Sequence, residues 1–321
     1  MKKIIIYLFL IPVFLLSQNN NQIDTSFTVN SAYQNAVIDF PFIKIVKPIL
    51  PDKVNAFRNI TYADYGNRQL KLDIFSTADE TKLKPGIILI HGGGWHSGNK
   101  SLQFPMAMQL ASHGFVSAAV EYRFAQEAIF PAAIIDVKNS IKWLKKNAKK
   151  FNVDTNKIAV LGCSAGGQIA SLVGFSVNEK EFEDFNNYSG YSSKVNAIVN
   201  IDGLMDFLGK GSEEFDEIPD DKNPRSAHKW LGASHLENSK VWQKASAINY
   251  LNKDSCPILF INSSIQRFHA GRDETIEMLR KYNIYYEVHT FEKSPHPFWL
   301  FQPWFDETIK YTADFLNQTF K

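Results

Sequence analysis

The chain has 321 residues, of which 45% are hydrophobic, 13% aromatic and 21% charged. This balance is typical of a globular protein with a packed core, and it excludes a disordered or collagen-like chain. The formal charge of +2 falls to zero when Lys2 and Lys3 are left out. The chain therefore has no strongly basic surface for a phosphate backbone, and no nucleic-acid partner is expected.

Residues 1–17 have the pattern of a secretory signal peptide. Two lysines precede an apolar run over residues 4–16, and Ser17 stands before a polar stretch. A transmembrane helix needs about 20 apolar residues, so this shorter run is not expected to be a stable membrane anchor. Cleavage near Ser17 predicts a secreted or periplasmic protein, and an uncleaved short anchor is the alternative.

Residues 18–58 form a polar N-terminal arm without sustained periodicity, and an alternation of strand and helix patterns fills residues 59–321. Strands are predicted at 60–63, 70–75, 86–90, 115–120, 158–161, 195–201, 258–261 and 285–291, and helices at 102–112, 131–149, 166–175, 274–282 and 305–320. This order predicts one α/β domain with a mostly parallel sheet between two layers of helices. The alternation breaks at about 203–251, where an acidic insertion is expected to form a partial lid.

The strongest motif is Gly-Cys-Ser-Ala-Gly-Gly at residues 162–167, between a predicted strand and a predicted helix. In the pattern G-x-S-x-G, small residues allow a sharp turn that holds the serine hydroxyl clear of the sheet. Ser164 is therefore the candidate nucleophile. The backbone N–H of Ala165 would point at a developing oxyanion from the positive end of the helix.

A second motif, His-Gly-Gly-Gly-Trp, occupies residues 91–95 at the end of an earlier predicted strand. Glycines free the backbone to turn its N–H groups toward a small anion, as an oxyanion hole requires. A glycine triplet alone is usually a flexible loop. Its position before a G-x-S-x-G motif favours the oxyanion interpretation.

With these motifs, and with Glu-Tyr-Arg at residues 121–123, the chain resembles the α/β-hydrolase fold esterases. The resemblance extends over about residues 59–320 and includes the hormone-sensitive-lipase-like esterases and the secreted bacterial acetylxylan and pectin acetylesterases. It implies Ser164 as nucleophile and Gly93, Gly94 and Ala165 as oxyanion donors.

In this fold the catalytic residues follow the order serine, acid, histidine, with the histidine after the last strand. His296 lies five residues beyond the last predicted strand and is the candidate base. A structural histidine is the alternative interpretation.

The acid departs from the family pattern. The loop after the strand at 258–261 holds no carboxylate as far as His269. Asp202 ends the preceding strand and is the preferred candidate. Asp273 is the alternative, although a carboxylate in the first turn of a helix also has a sufficient structural role there.

Weaker patterns indicate substrate contacts. An aromatic run over residues 298–305 includes Trp299 and could stack on a sugar, although packing of the last helix on the sheet is the more common reason for such a run. Trp95, Arg267 and His269 are the other candidates for substrate binding. No histidine and carboxylate pattern has metal-ligand spacing, so neither a metal nor another cofactor is expected.

The sequence thus predicts a secreted serine esterase that removes acetyl groups from a polysaccharide through an acyl-enzyme. Three alternatives remain open at this point. They are a lipase or general carboxylesterase, a serine peptidase of the same fold, and a catalytically idle binding protein on this scaffold.

Overall fold

The computed structural model describes residue 24 and residues 26–79, 81–177, 179–212 and 226–321. The strands are β1 Lys44–Ile45, β2 Val54–Asp64, β3 Gln69–Thr77, β4 Lys84–Ile90, β5 Val116–Val120, β6 Val153–Cys163, β7 Ala197–Ile201, β8 Ile258–Ser263, β9 Tyr286–Phe291 and β10 Phe301–Gln302. The helices are α1 Val29–Ala36, α2 Phe104–Ser112, α3 Ala132–Lys146, α4 Ala148–Phe151, α5 Ala165–Phe175, α6 Ser226–Leu231, α7 Ser239–Ala245, α8 Arg272–Tyr282 and α9 Trp304–Thr319.

Eight of these strands form one twisted sheet in the order β2-β3-β5-β4-β6-β7-β8-β9. The pairs from β5 to β9 in this order are parallel, and β3 is antiparallel to both of its neighbours. The mostly parallel sheet predicted from the sequence is therefore present. Its consequence for function is that the carboxyl ends of β4, β6, β7, β8 and β9 share one edge, where ligands of such sheets bind.

The central strands are buried because helices cover both faces. Along β4, Ile88 and Ile90 contact the cluster that includes α3, α5 and α8, whereas Ile87 and Leu89 contact the cluster that includes α2 and α9. Successive side chains of a strand point to opposite faces, so a continuous apolar run is what a strand covered on both sides requires.

The described part of the N-terminal arm contains a helix and two strand segments. Thr28 and Ser31 form a reciprocal capping box that starts α1, and α1 buries Ala32 and Ala36 against the cluster that includes α9. The expected boundary between residues 58 and 59 falls inside β2, which begins at Val54.

The predicted signal peptide, residues 1–17, lies outside the described residues. In the described ranges, no helix combines the length and the apolar character needed to cross a bilayer.

The insertion at 203–251 consists, where described, of short helices fixed by aromatic side chains. Trp230 of α6 stacks on Trp95 at a centroid distance of 5.2 Å, and Phe207 lies between Trp95 and Trp242 of α7. Most of its acidic residues fall within 213–225, outside the described residues. The described part is thus attached to the end of β4 and lies beside the site.

Candidate active site

Ser164 occupies a strained turn between β6 and α5. Its φ of 55° and ψ of −124° lie outside the regions favoured by residues with a side chain, and its N–H donates to the carbonyl of Ile201 at 2.8 Å. A Cβ on Gly162 would lie 1.9 Å from the carbonyl oxygen of Gly166. A Cβ on Gly166 would lie 2.3 Å from the carbonyl oxygen of Ile90. The glycines of the motif are therefore required by close backbone contacts on both sides of the turn.

His296 follows β9 and bridges the serine to a carboxylate. Its Nε2 lies 2.8 Å from Ser164 Oγ, and its Nδ1 lies 2.7 Å from Asp202 Oδ2. An ionised carboxylate only accepts hydrogen bonds, so Nδ1 carries the proton in the neutral ring and Nε2 accepts from the serine hydroxyl. The arrangement suits His296 to take a proton from Ser164.

Asp202, directly after β7, is fully buried and held by Ser263, the last residue of β8. Ser263 donates to it twice, from its backbone N–H to Oδ1 at 2.9 Å and from its hydroxyl to Oδ2 at 2.6 Å. Ser263 belongs to the stretch predicted as the loop without a carboxylate, and in the structure it ends β8 and supplies hydrogen-bond donors to the carboxylate that follows the neighbouring strand.

The structure does not bring Asp273, the alternative acid, to His296. Asp273 opens α8, its side chain is 76% exposed, and it pairs with the adjacent Arg272. A carboxylate in the first turn of a helix interacts favourably with the helix dipole. This structural role accounts for Asp273 without a role at the site.

The candidate oxyanion donors lie around Ser164. Gly93 and Gly94, just after β4, have φ values of 127° and 60°, and Ala165 is the first residue of α5. Across the described part of the chain, no group accepts a hydrogen bond from the amides of these three residues. All three line the same pocket as Ser164. They are placed to donate to a negative oxygen formed beside it.

Trp95 supports the loop of residues 91–97, the oxyanion loop. It is buried despite a φ of 63°, and its indole Nε1 donates to Gln168 Oε1 at 2.9 Å. The Gln168 amide in turn donates to the carbonyl of Ala245 in α7. Gln168 thus connects the oxyanion loop, α5 and the insertion, a role that the sequence pattern did not indicate.

His91, which precedes the glycines, is buried and neutral. Burial lowers its pKa from the ordinary value of 6.5 to about 4. Its Nδ1 lies 2.7 Å from the carbonyl oxygen of Gly92, and its ring stacks on Tyr122. His91 therefore acts as a neutral packing residue that fixes the start of the loop.

The pocket over Ser164 has a volume of about 490 Å³. Trp95 and Arg267, two of the substrate-binding candidates, line it, together with Leu204, Ser226 and Ala227 from the insertion. The insertion therefore contributes to the pocket wall.

The other two substrate-binding candidates lie elsewhere. Trp299 is only 3% exposed, does not line the pocket, and contacts the His296 ring edge-on. The residues of its aromatic run are buried because they pack the last helix on the sheet. His269 lies behind Asp202, with its Nε2 3.7 Å from Asp202 Oδ1, and burial lowers its pKa.

Sequence reasoning missed two groups of residues at the site. Phe268 stacks on the His296 ring with a centroid distance of 3.4 Å and an interplanar angle of 7°. Ser26, Phe27, Ser31 and Asn35 of the N-terminal arm line the pocket. No local pattern marks either group, although the Thr28 and Ser31 cap could have revealed α1. Within the described ranges, no cluster of three or more His, Cys, Asp or Glu residues could hold a metal ion.

Comparison with known proteins finds relatives that are described as esterases. Esterase LipC of Mycobacterium tuberculosis is 31% identical over 209 residues, which is 64% of this chain and 50% of that protein. The probable carboxylic ester hydrolase LipM of the same organism is 34% identical over 223 residues, 68% of this chain and 48% of that protein. The chain thus spans about half the length of these curated relatives.

Two solved structures have the same fold. A truncated carbohydrate esterase from gut microbiota superposes with a TM-score of 0.69 at 22% identity, covering 84% of this chain and 98% of that chain. A bifunctional GH43-CE protein of Bacteroides eggerthii superposes with a TM-score of 0.69 at 25% identity, covering 82% of this chain and 38% of that chain.

The family model named BD-FAE matches residues 72–277, more than half of the chain. The match includes both glycine motifs, Ser164 and Asp202. The two solved structures named above share the fold that carries these residues. The protein is therefore a member of the BD-FAE family and has the α/β-hydrolase fold.

Proposed function

We propose that the protein is a serine esterase that removes acetyl groups from a polysaccharide. The observation that carries the proposal is the continuous hydrogen-bonded chain from Ser164 through His296 to the buried Asp202. Gly93, Gly94 and Ala165, the candidate oxyanion donors, line the same pocket as Ser164.

The geometry supports the following first half-reaction. Ser164 Oγ attacks the ester carbonyl carbon while His296 Nε2 accepts its proton, and the carbonyl oxygen becomes an oxyanion bound by the free amides. The tetrahedral intermediate collapses, its bond to the alcohol oxygen breaks, and His296 returns the proton to the departing alcohol. An acyl-enzyme on Ser164 remains.

In the second half-reaction, water attacks the acyl carbon and gives its proton to His296. Collapse of this second intermediate breaks the bond to Ser164 Oγ, releases the acid and returns the proton to the serine. Asp202 stabilises the imidazolium in both halves, because its carboxylate accepts the Nδ1 proton at 2.7 Å. This chemistry requires no cofactor.

The substrate class is supported by the neighbours and by the pocket. Two structural neighbours are a truncated carbohydrate esterase from gut microbiota and a bifunctional GH43-CE protein of Bacteroides eggerthii. The pocket of about 490 Å³ has both polar and aromatic lining residues, which suits an acylated sugar. Secretion, which the pattern of residues 1–17 predicts, would give the enzyme access to such polymers.

A substrate panel tests the proposal. Nitrophenyl esters with acyl chains of two to twelve carbons are compared with acetylated xylan and pectin, with acetate release as the readout. Acetyl esters should be preferred, because each methylene that a pocket excludes costs about 1 to 3 kcal/mol. Equal kcat/KM for acetyl and octanoyl esters would favour a lipase or general carboxylesterase, and cleavage of amides would favour a peptidase.

A nucleophile variant separates an enzyme from an idle binding protein. Ser164→Ala should lower kcat on an acetyl ester by roughly 10³ to 10⁶ while the protein stays folded, because the attacking oxygen is removed. Circular dichroism provides the folding control. Turnover close to that of the unmodified protein would rule out the serine mechanism.

A further inference from the structure

The N-terminal arm supplies one wall of the pocket over Ser164. Ser26, Phe27, Ser31 and Asn35 line it, although all four precede the matched region of the family, which begins at residue 72. This wall is therefore a feature of this chain outside the segment that identifies its family.

At its N-terminal end, around Asp24, the wall is hydrogen-bonded to the oxyanion loop. Asp24 forms a parallel bridge with Ser97, and its carboxylate lies 3.2 Å from His96 Nδ1. The other ring nitrogen of His96 lies 3.0 Å from the hydroxyl of Ser226 in the insertion. Arm, oxyanion loop and insertion thus meet at His96.

At its C-terminal end, in α1, the wall packs on the segment that follows His296. Tyr33 of α1 contacts Phe301 edge-to-face at a centroid distance of 6.2 Å, and Ala32 and Ala36 are buried in the same cluster. His296 returns its proton to the departing alcohol, so the alcohol part of the ester leaves on the side that this residue faces. The arm lines the same pocket as His296 and packs on the segment that follows it.

Of the polar groups on the wall, Asn35 is available for a ligand. The hydroxyl of Ser31 is engaged, because it donates to the carbonyl of Ser26 at 2.9 Å and accepts from the N–H of Thr28. The Asn35 side chain is exposed and forms no hydrogen bond with any described residue. Phe27 is half-buried against the core and presents its remaining surface to the pocket.

We infer that Phe27 and Asn35 form a subsite for the sugar that carries the ester, with the Asn35 carboxamide hydrogen-bonded to a sugar hydroxyl. A carboxamide offers both a donor and an acceptor, which matches a hydroxyl group, and an aromatic surface suits the apolar face of a sugar ring. The inference rests on the proposed ester hydrolysis and assigns its alcohol-side specificity.

The test compares two substrates that share an acetyl group and differ in the alcohol. The variant is Asn35→Ala, and the substrates are 4-nitrophenyl acetate and an acetylated xylo-oligosaccharide. For the oligosaccharide, kcat/KM should fall about three- to tenfold, the effect of one lost hydrogen bond. The loss should appear in KM, because the contact holds substrate and transition state equally. For 4-nitrophenyl acetate, kcat/KM should stay within twofold.

The chain offers a matched control in Asn30→Ala. Asn30 is also an exposed asparagine of α1, but it does not line the pocket. This variant should leave both substrates within twofold. Equal losses on the two substrates, the same loss in the control, or an unchanged oligosaccharide KM in Asn35→Ala would overturn the subsite.

Assays of the unmodified protein distinguish failure of the sugar subsite from failure of the proposed ester hydrolysis. Hydrolysis of 4-nitrophenyl acetate without release of acetate from the oligosaccharide would overturn the sugar subsite and leave ester hydrolysis standing. Absence of hydrolysis on both substrates would overturn the proposed function itself.

Discussion

Single residues at this site depend on neighbours that lie far away in the sequence. Asp202 is buried, and within the described residues its carboxylate accepts hydrogen bonds from His296 and Ser263 and a longer one of 3.5 Å from Asn262. Buried carboxylates need such donors, because an unsatisfied buried charge costs several kcal/mol. The hydroxyl and amide of Ser263 thus allow the acid to lie one strand earlier than usual in the fold.

The position of the acid gives a direct prediction. Asp202→Asn should lower kcat by up to about 10⁴, because the amide can donate to Nδ1 and force the wrong tautomer of His296. Asp273→Asn should stay within twofold of the unmodified protein, since its side chain is exposed and faces Arg272. Steady-state kinetics on an acetyl ester measure both. Full activity in the first variant and loss in the second would place the acid on α8.

Phe268 provides a second prediction at this scale. Its face covers the ring of His296, and an aromatic face attracts the imidazolium formed during attack by about 1 kcal/mol. Phe268→Leu keeps an apolar cover without the aromatic ring, so kcat should fall about fivefold. Steady-state rates on 4-nitrophenyl acetate measure it, with Ile265→Leu as a control in the same loop. An unchanged kcat would show that Phe268 only fills space.

At the scale of elements, the turn from β6 to α5 depends on close contacts between backbone atoms. Gly166 approaches the end of β4 so closely that a Cβ would lie 2.3 Å from the carbonyl oxygen of Ile90 and 2.7 Å from that of His91. The same contact brings the loop of Gly93 and Gly94 beside Ser164. Close packing of two strand ends thus holds the proposed oxyanion donors beside the proposed nucleophile.

Gly166→Ala should therefore destabilise the protein by about 2 to 4 kcal/mol, because neither carbonyl can move without displacing β4. Gly209→Ala is the control, since the nearest atoms there belong to the side chain of Asp206 and lie no closer than 3.0 Å. Urea denaturation measures both. A Gly166→Ala protein as stable as the control would mean that the turn relaxes more easily than its contacts indicate.

At the scale of the whole molecule, function depends on three segments that converge on one edge of the sheet. The arm, the oxyanion loop and the insertion meet around His96, and Trp95 is stacked on Trp230 of the insertion. The pocket is therefore part of the folded core arrangement, and buried groups such as His91 make the stability of that fold depend on pH.

The pH dependence has a definite sign. The folded pKa of His91 is about 4, below its ordinary value of 6.5, so the unfolded chain binds the proton first as the pH falls. The stabilisation is complete above pH 6.5 and decreases down to about pH 4, with a loss of about 2 to 3 kcal/mol at pH 4.5. Urea unfolding at pH 7 and 4.5 should show a smaller decrease in His91→Asn than in the unmodified protein. Parallel decreases would contradict a buried neutral His91.

The sequence by itself determined the sheet, the two glycine motifs, and Ser164, His296 and Asp202 as candidates. The sheet and the glycine motifs, including Ser164, have local signatures: apolar runs of the right length, or glycines where the backbone must turn sharply or approach another segment closely. His296 and Asp202 were candidates because of their positions after predicted strands and the order of catalytic residues in the fold. The element bounds differ from the prediction by a few residues, because hydrogen-bond pairing extends strands such as β6 beyond their apolar cores.

Only the tertiary structure shows that Asp202, and not Asp273, contacts His296. It also shows that Trp299 is buried, that His269 lies behind Asp202, and that Phe268 and the arm line the pocket. These facts concern which segments meet in space, over separations such as the 94 residues between Asp202 and His296. Composition identified the arm as polar and left it without a role. Packing of α1 against the segment after His296 makes it part of the site, because contacts between distant segments have no periodicity for a sequence to reveal.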